Sequence, residues 1–173
     1  MSTSPKIAPH DALKFLAANH TALLAMFRDY ERHKGSASPV EKGKEALRFC
    51  HRLSIHFAIK EEIFYPAVAA VLGEKAKPAL SAAEAQLGTL RGLLSTVEQM
   101  SSSDESFDPA MKVLGDTTRR HFEVEEKDLF ALVRHADFDL AGTGERLATR
   151  QSELSTAPAG KAELREARRV LGG

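Results

Sequence analysis

Tryptophan is absent from this 173-residue chain, tyrosine occurs twice and cysteine once. A single cysteine, Cys50, excludes an internal disulfide, which suits a reducing compartment. No apolar run approaches the roughly 18 residues of a membrane-spanning helix. The first residues, MSTSPKIAPHDALKF, contain no long apolar stretch of the signal-peptide kind. Charge of one sign is also missing, because 24 Lys and Arg balance 24 Asp and Glu. No overall field therefore draws the chain to nucleic acid or to an anionic membrane, and the expected location is cytoplasmic. What is present, 43% hydrophobic and 28% charged residues, is the composition of one globular domain.

Four long segments show the spacing of amphipathic helices. They run from about Ala12 to His33, Pro39 to Leu72, Pro78 to Met100 and Asp108 to His135. Pro66 lies inside the second and predicts a kink or an early end near Tyr65. Polar breaks (KGSASP, the Gly73 to Pro78 interval and SSSDES) separate the four. This pattern predicts an all-α, antiparallel, up-down-up-down four-helix bundle. A weaker helical segment follows at residues 138–155, and KAELREARRVLGG is left undecided between short helix and tail. The expected divisions are a tail over 1–9, a bundle over 10–136 and a helical extension over 137–173.

An internal repeat is present. HFAIKEEIFYP from His56 matches HFEVEEKDLFA from His121, 65 residues on, and NHTALLAMF matches QLGTLRGLL more weakly at an offset of 67. Two copies of one helical hairpin would place a site on their common axis. Residues i and i+4 share a helix face, so His121 and Glu125 point inward together, with His20 and His56 facing them. Four such groups in an apolar interior need partners, and a metal ion accepts imidazole and carboxylate lone pairs. The corresponding residue after His56 is Lys60, an ammonium with three donors and no lone pair. Glu61, Glu62 and Glu126 turn away from the face of the preceding histidine and are expected in solvent, Glu61 being the one that a small rotation would bring inward. His10, His33, His51 and His135 are expected outside the ligand set, Cys50 in the core, and Tyr30 and Tyr65 at the core's edge.

At these residues the chain resembles the hemerythrin-like, or HHE cation-binding, family over about residues 10–136. The resemblance implies a four-helix bundle around a non-haem di-iron centre, with oxygen binding, oxygen or redox sensing, peroxide-linked chemistry or iron delivery among the family's activities. It assigns ligand positions to His20, His56, His121 and Glu125. Lys60 stands where the family has a bridging Glu, and Leu87 where the third helix supplies a His. These two departures argue against two irons and leave two readings. In one, a single ion, iron or alternatively zinc or manganese, is held by His20, His56 and Glu125 with His121 as a fourth donor. In the other, no metal binds, Lys60 pairs with Glu125 in its place, and the bundle is an interaction module. The first reading, which is preferred, implies a binding protein rather than an enzyme. Its partner would be a small diatomic ligand or peroxide, with neither nucleic acid nor membrane involved and the protein partner unspecified.

Overall fold

A computed structural model describes residues 11–157. Their α-helices are α1 (Ala12–His33), α2 (Pro39–Ile59), α3 (Tyr65–Leu72), α4 (Lys77–Gln99), α5 (Phe107–Arg134) and α6 (Leu140–Thr156). No strand occurs among the described residues. The helix starts follow from local chemistry. Asp11 accepts hydrogen bonds from the Leu13 and Lys14 amides. Ser38 and Glu41 form a reciprocal capping box ahead of Pro39, whose fixed φ suits a first turn. Asp139 caps α6 through the Gly142 amide. Gly73 ends α3 at φ 54°, a left-handed conformation that disfavours side-chain-bearing residues. His10 and the segment KAELREARRVLGG lie outside the described residues.

The predicted bundle forms with its helices in the cyclic order α1, α2, α4, α5. α6 lies across the α1 and α2 side. Apolar stripes from every helix meet in one core that includes Leu16, Phe27, Phe49, Leu53, Phe57, Leu87, Leu90, Leu114 and Phe130. Each such side chain contributes about 1.5–3 kcal/mol by leaving water. A Cβ at Gly115 would collide with the Phe27 ring, so glycine there lets α5 approach α1 closely.

The second predicted helix is interrupted before its proline. Residues Lys60–Phe64 form a π-helical turn, in which the Tyr65 amide donates to the Lys60 carbonyl. Pro66 has no N–H to return to Glu62, and its ring crowds that carbonyl. The wider turn absorbs both defects, and α3 resumes with Pro66 in its first turn. The interruption therefore starts five residues earlier than the kink expected at Tyr65, on Lys60 itself.

Candidate metal centre

His20 on α1, His56 on α2, His121 and Glu125 on α5, and Lys60 at the start of the π turn are all buried. They converge between the four helices of the bundle. One ligand atom each from His20, His56 and Glu125 lies within 4.8 Å of the others, a spacing that can hold a cation. The remaining pair, Lys60 and His121, is arranged differently.

The Lys60 ammonium donates to His121 Nε2 at 2.9 Å and to Glu125 Oε1 and Oε2 at 3.1 and 3.0 Å. The Tyr65 hydroxyl donates to Glu125 Oε1 at 2.6 Å. Gln86 Oε1 on α4 lies 2.9 Å from His121 Nδ1. A carbonyl oxygen accepts, so Nδ1 carries the His121 proton and Nε2 offers its lone pair to Lys60. In this arrangement that lone pair faces the ammonium, and the side chains whose ligand atoms lie close together are His20, His56 and Glu125. The phenyl rings of Phe57 and Phe122 and the ring of Tyr65 lie 5.6–5.8 Å from the Lys60 nitrogen, enclosing the cation in aromatic faces.

On the other side of Glu125 the histidines are poorly satisfied. His20 Nδ1 sits 2.6 Å from Glu126 Oε1, which fixes the proton on Nδ1 and leaves Nε2 as a free lone pair. His20 Nε2 lies 3.4 Å from Glu125 Oε2, within ion-pair reach, yet it makes no hydrogen bond there. Neither nitrogen of His56 has a partner. Unpartnered buried imidazole nitrogens are costly in a folded protein and require an explanation. Phe122 orients both rings: it stacks on His20 with centroids 3.8 Å apart and meets His56 edge-on at 5.3 Å.

The electrostatics favour neutral imidazoles at His56 and His121. Burial, and then the positive charge of Lys60, hold His56 well below the ordinary histidine range. The same two causes push His121 down to about 3. Burial alone would raise the Glu125 carboxyl, but Lys60, His20 and His121 together outweigh it and hold it well below the usual carboxylate range. Burial lowers the Lys60 ammonium while Glu125 opposes that loss. Tyr65 is raised, by burial and by Glu125, and stays protonated as a donor.

Other predicted residues fall into place around this centre. Leu87 is a core residue, and its neighbour Gln86 is the α4 side chain that reaches His121. Glu61 and Glu62 face outward and pair with Arg91 and Arg150. Glu126, expected in solvent, is half-exposed, yet it holds His20 from the neighbouring helix. Cys50 is buried, and burial pushes its thiol up to about 12, which leaves it inert. Tyr30 is buried and donates to Asp108. His33 lies beside Glu45 at the end of α1, and His135 is exposed.

No helix among the described residues is long and apolar enough to cross a membrane. Uncharacterized protein Rv2633c of Mycobacterium tuberculosis is 25% identical to this chain over 169 residues, covering 91% of the chain and 99% of that protein. Uncharacterized protein Mb2666c of Mycobacterium bovis matches to the same extent. The crystal structure of a hemerythrin HHE cation binding domain-containing protein from Mycobacterium kansasii, an Rv2633c homolog, superposes with a TM-score of 0.70. That likeness covers 90% of this chain and 98% of the other at 21% identity, and it establishes the shared bundle. The model of the hemerythrin HHE cation binding domain matches residues 11–133, the whole of the four-helix bundle and its buried polar centre, and the chain belongs to that family.

Proposed function

We propose that this protein holds one divalent cation on His20, His56 and Glu125, and that Lys60 occupies the place of a second. One observation carries the reading: among the described buried side chains, the unpartnered nitrogens belong to His20 and His56, the two histidines grouped with Glu125. A cation accepts those lone pairs; an ion pair between Lys60 and Glu125 leaves them unsatisfied. Two histidines and one carboxylate with open positions suit ferrous iron, and zinc or manganese also accept such donors. When bound, the ion supplies a Lewis-acidic centre with positions free for a small ligand such as oxygen, nitric oxide or peroxide.

The chain's own residues set the properties of that centre. Glu126 fixes the His20 tautomer, and Phe122 fixes the planes of both imidazoles. Lys60 donates to both oxygens of Glu125 and Tyr65 donates to Oε1, so the carboxylate shares its charge between a fixed ammonium and the cation. Lys60 makes the surroundings more positive, which weakens cation affinity and favours ligands that bring negative charge. Ligand sensing or transient binding, rather than tight storage of metal, follows from that balance.

Elemental analysis of protein produced in iron-, zinc- and manganese-supplemented media tests the stoichiometry. A value near one, lost in His56→Ala, is expected. A value near two overturns the reading. A value near zero in every medium supports the second reading, a cation-free interaction module, which the full set of Lys60 partners favours.

A further inference from the structure

Between α1, α2 and α6 a cleft of about 350 Å³ is lined by Asn19, His51, Arg52, Ile55, Gln151 and Ser155 and reaches His56. His56 is 1% exposed, and both of its ring nitrogens lack a partner. The cleft thus connects solvent with an unsatisfied imidazole at the proposed centre. α6, which stands outside the four-helix bundle, forms one wall. The Asn19 amide donates to Gln151 Oε1 at 2.7 Å, a single hydrogen bond that spans the cleft from α1 to α6. One turn before His56 on α2, Arg52 is exposed and has no ion pair among the described residues. Among the described residues no carboxylate lines the cleft.

We propose that this cleft is the path by which small ligands reach the centre, that the Asn19–Gln151 bridge is its latch, and that Arg52 selects anions. The proposal rests on the cation-bound reading given above for what the ligand meets at the inner end. The chemistry of the lining points the same way along its length. A guanidinium, two amides, a hydroxyl and two histidines, with no carboxylate among the described lining residues, repel a free cation and attract a small anion or a polar neutral molecule. The latch is cheap to open, because amide groups released from it find water at the half-exposed rim. α6 is also held by the Arg150 ion pair with Glu62 on the π turn, so opening needs a side-chain movement and no displacement of the helix.

Two measurements on the full chain test the path. In the first, protein loaded with ferrous iron is mixed with azide, as the anionic probe, or with nitric oxide, as the neutral one, and association rates are followed by absorbance. Gln151→Ala is expected to raise both rates by about threefold or more, and Ser155→Trp to lower both. Arg52→Glu is expected to slow azide by about tenfold while leaving nitric oxide within about twofold. Unchanged rates for both probes in Gln151→Ala and Ser155→Trp overturn the path, and an unchanged azide rate in Arg52→Glu overturns the selection. The second measurement needs no metal. Diethyl pyrocarbonate labelling of cation-free protein is read at His56 by peptide mass spectrometry, with His33 and His135 as references. Labelling should rise in Gln151→Ala and fall in Ser155→Trp. If the wild-type protein takes up no cation, the reading of the centre fails, while this labelling still decides the path: equal labelling in all three proteins overturns it.

Discussion

Lys60 and Glu125, the same position in the two copies of the repeated hairpin, meet as an ion pair at 3.0 Å with neither side chain exposed. A buried pair of this kind adds little net stability relative to an apolar pair, but breaking it leaves a bare charge in the core. Replacing one partner, as in Lys60→Met or Glu125→Leu, is expected to cost roughly 3–5 kcal/mol in the cation-free protein. The double variant should cost clearly less than the sum, because no charge is left behind. Urea unfolding in the presence of a chelator measures all four corners of this cycle. Strict additivity would contradict a direct pairing of the two residues.

Glu126 offers a cleaner separation of site from fold. Its side chain is 45% exposed, and it accepts a hydrogen bond from His20 Nδ1–H. Glu126→Gln keeps an acceptor there but removes the charge that makes the imidazole a stronger donor. Cation affinity is expected to fall by about 10- to 100-fold, with little change in unfolding free energy. Competition with a metal-sensitive dye gives the affinity, and an unchanged value would remove Glu126 from the centre.

Phe122 joins both halves of the centre, stacking on His20 while its ring faces the Lys60 ammonium at 5.7 Å. Phe122→Ala is expected to cost about 3–5 kcal/mol of stability through the cavity it leaves. Phe122→Leu should recover most of that loss but not the orientation of the imidazoles. Cation affinity measured in Phe122→Leu should therefore stay below wild type while its thermal midpoint approaches it. Equal affinity in the leucine variant would assign Phe122 to packing alone.

Much of this centre is legible in the sequence, and the limits have physical causes. The α1 bounds follow from Asp11 and the KGSASP break, and the 65-residue offset brings positions 60 and 125 together. The π turn escapes a reading based on a 3.6-residue period, because Pro66 announces a disruption without saying how many residues earlier the backbone absorbs it. Gln86 rather than Leu87 reaches His121, since the weak match between the first and third helices fixes their register only to within a residue. Glu126 turns from the His121 face, which hides it from a spacing argument, but a neighbouring helix can use the direction that its own helix leaves over. The cleft depends on where α6 lies, and no spacing within one segment encodes that.

Far from the centre, Asp108 ties α5 to α1 and α2 by accepting from the Tyr30 hydroxyl at 2.6 Å and pairing with Lys42 at 3.1 Å. Partial burial would raise this carboxyl, but Tyr30 and Lys42 prevail and hold it below the ordinary range. A depressed folded-state value means that the stabilisation is complete above the unfolded value of about 4 and is lost as the pH falls through the folded one. Thermal midpoints of wild type and Asp108→Asn should differ by a constant amount above about pH 5 and converge on acidification. A gap that widens in acid would reverse the assigned sign.

Lys60→Glu restores a carboxylate on the α2 side of the centre and frees the His121 lone pair. Without metal, two carboxylates then face each other where an ion pair stood, so the chelated variant should be less stable than wild type. A second cation resolves that repulsion with donors already in place: the new carboxylate, His121 Nε2 and Glu125 Oε1. Gln86 continues to hold the His121 tautomer that this requires. The variant should therefore take up close to two cations, and its unfolding midpoint should climb with cation concentration, since only the folded chain assembles the site. Elemental analysis and unfolding scans across a manganese titration read both quantities. A variant that stays at one cation, with a midpoint independent of manganese, would show that the π turn does not aim position 60 at a second metal position, and that Lys60 is a structural residue instead of a cation's replacement.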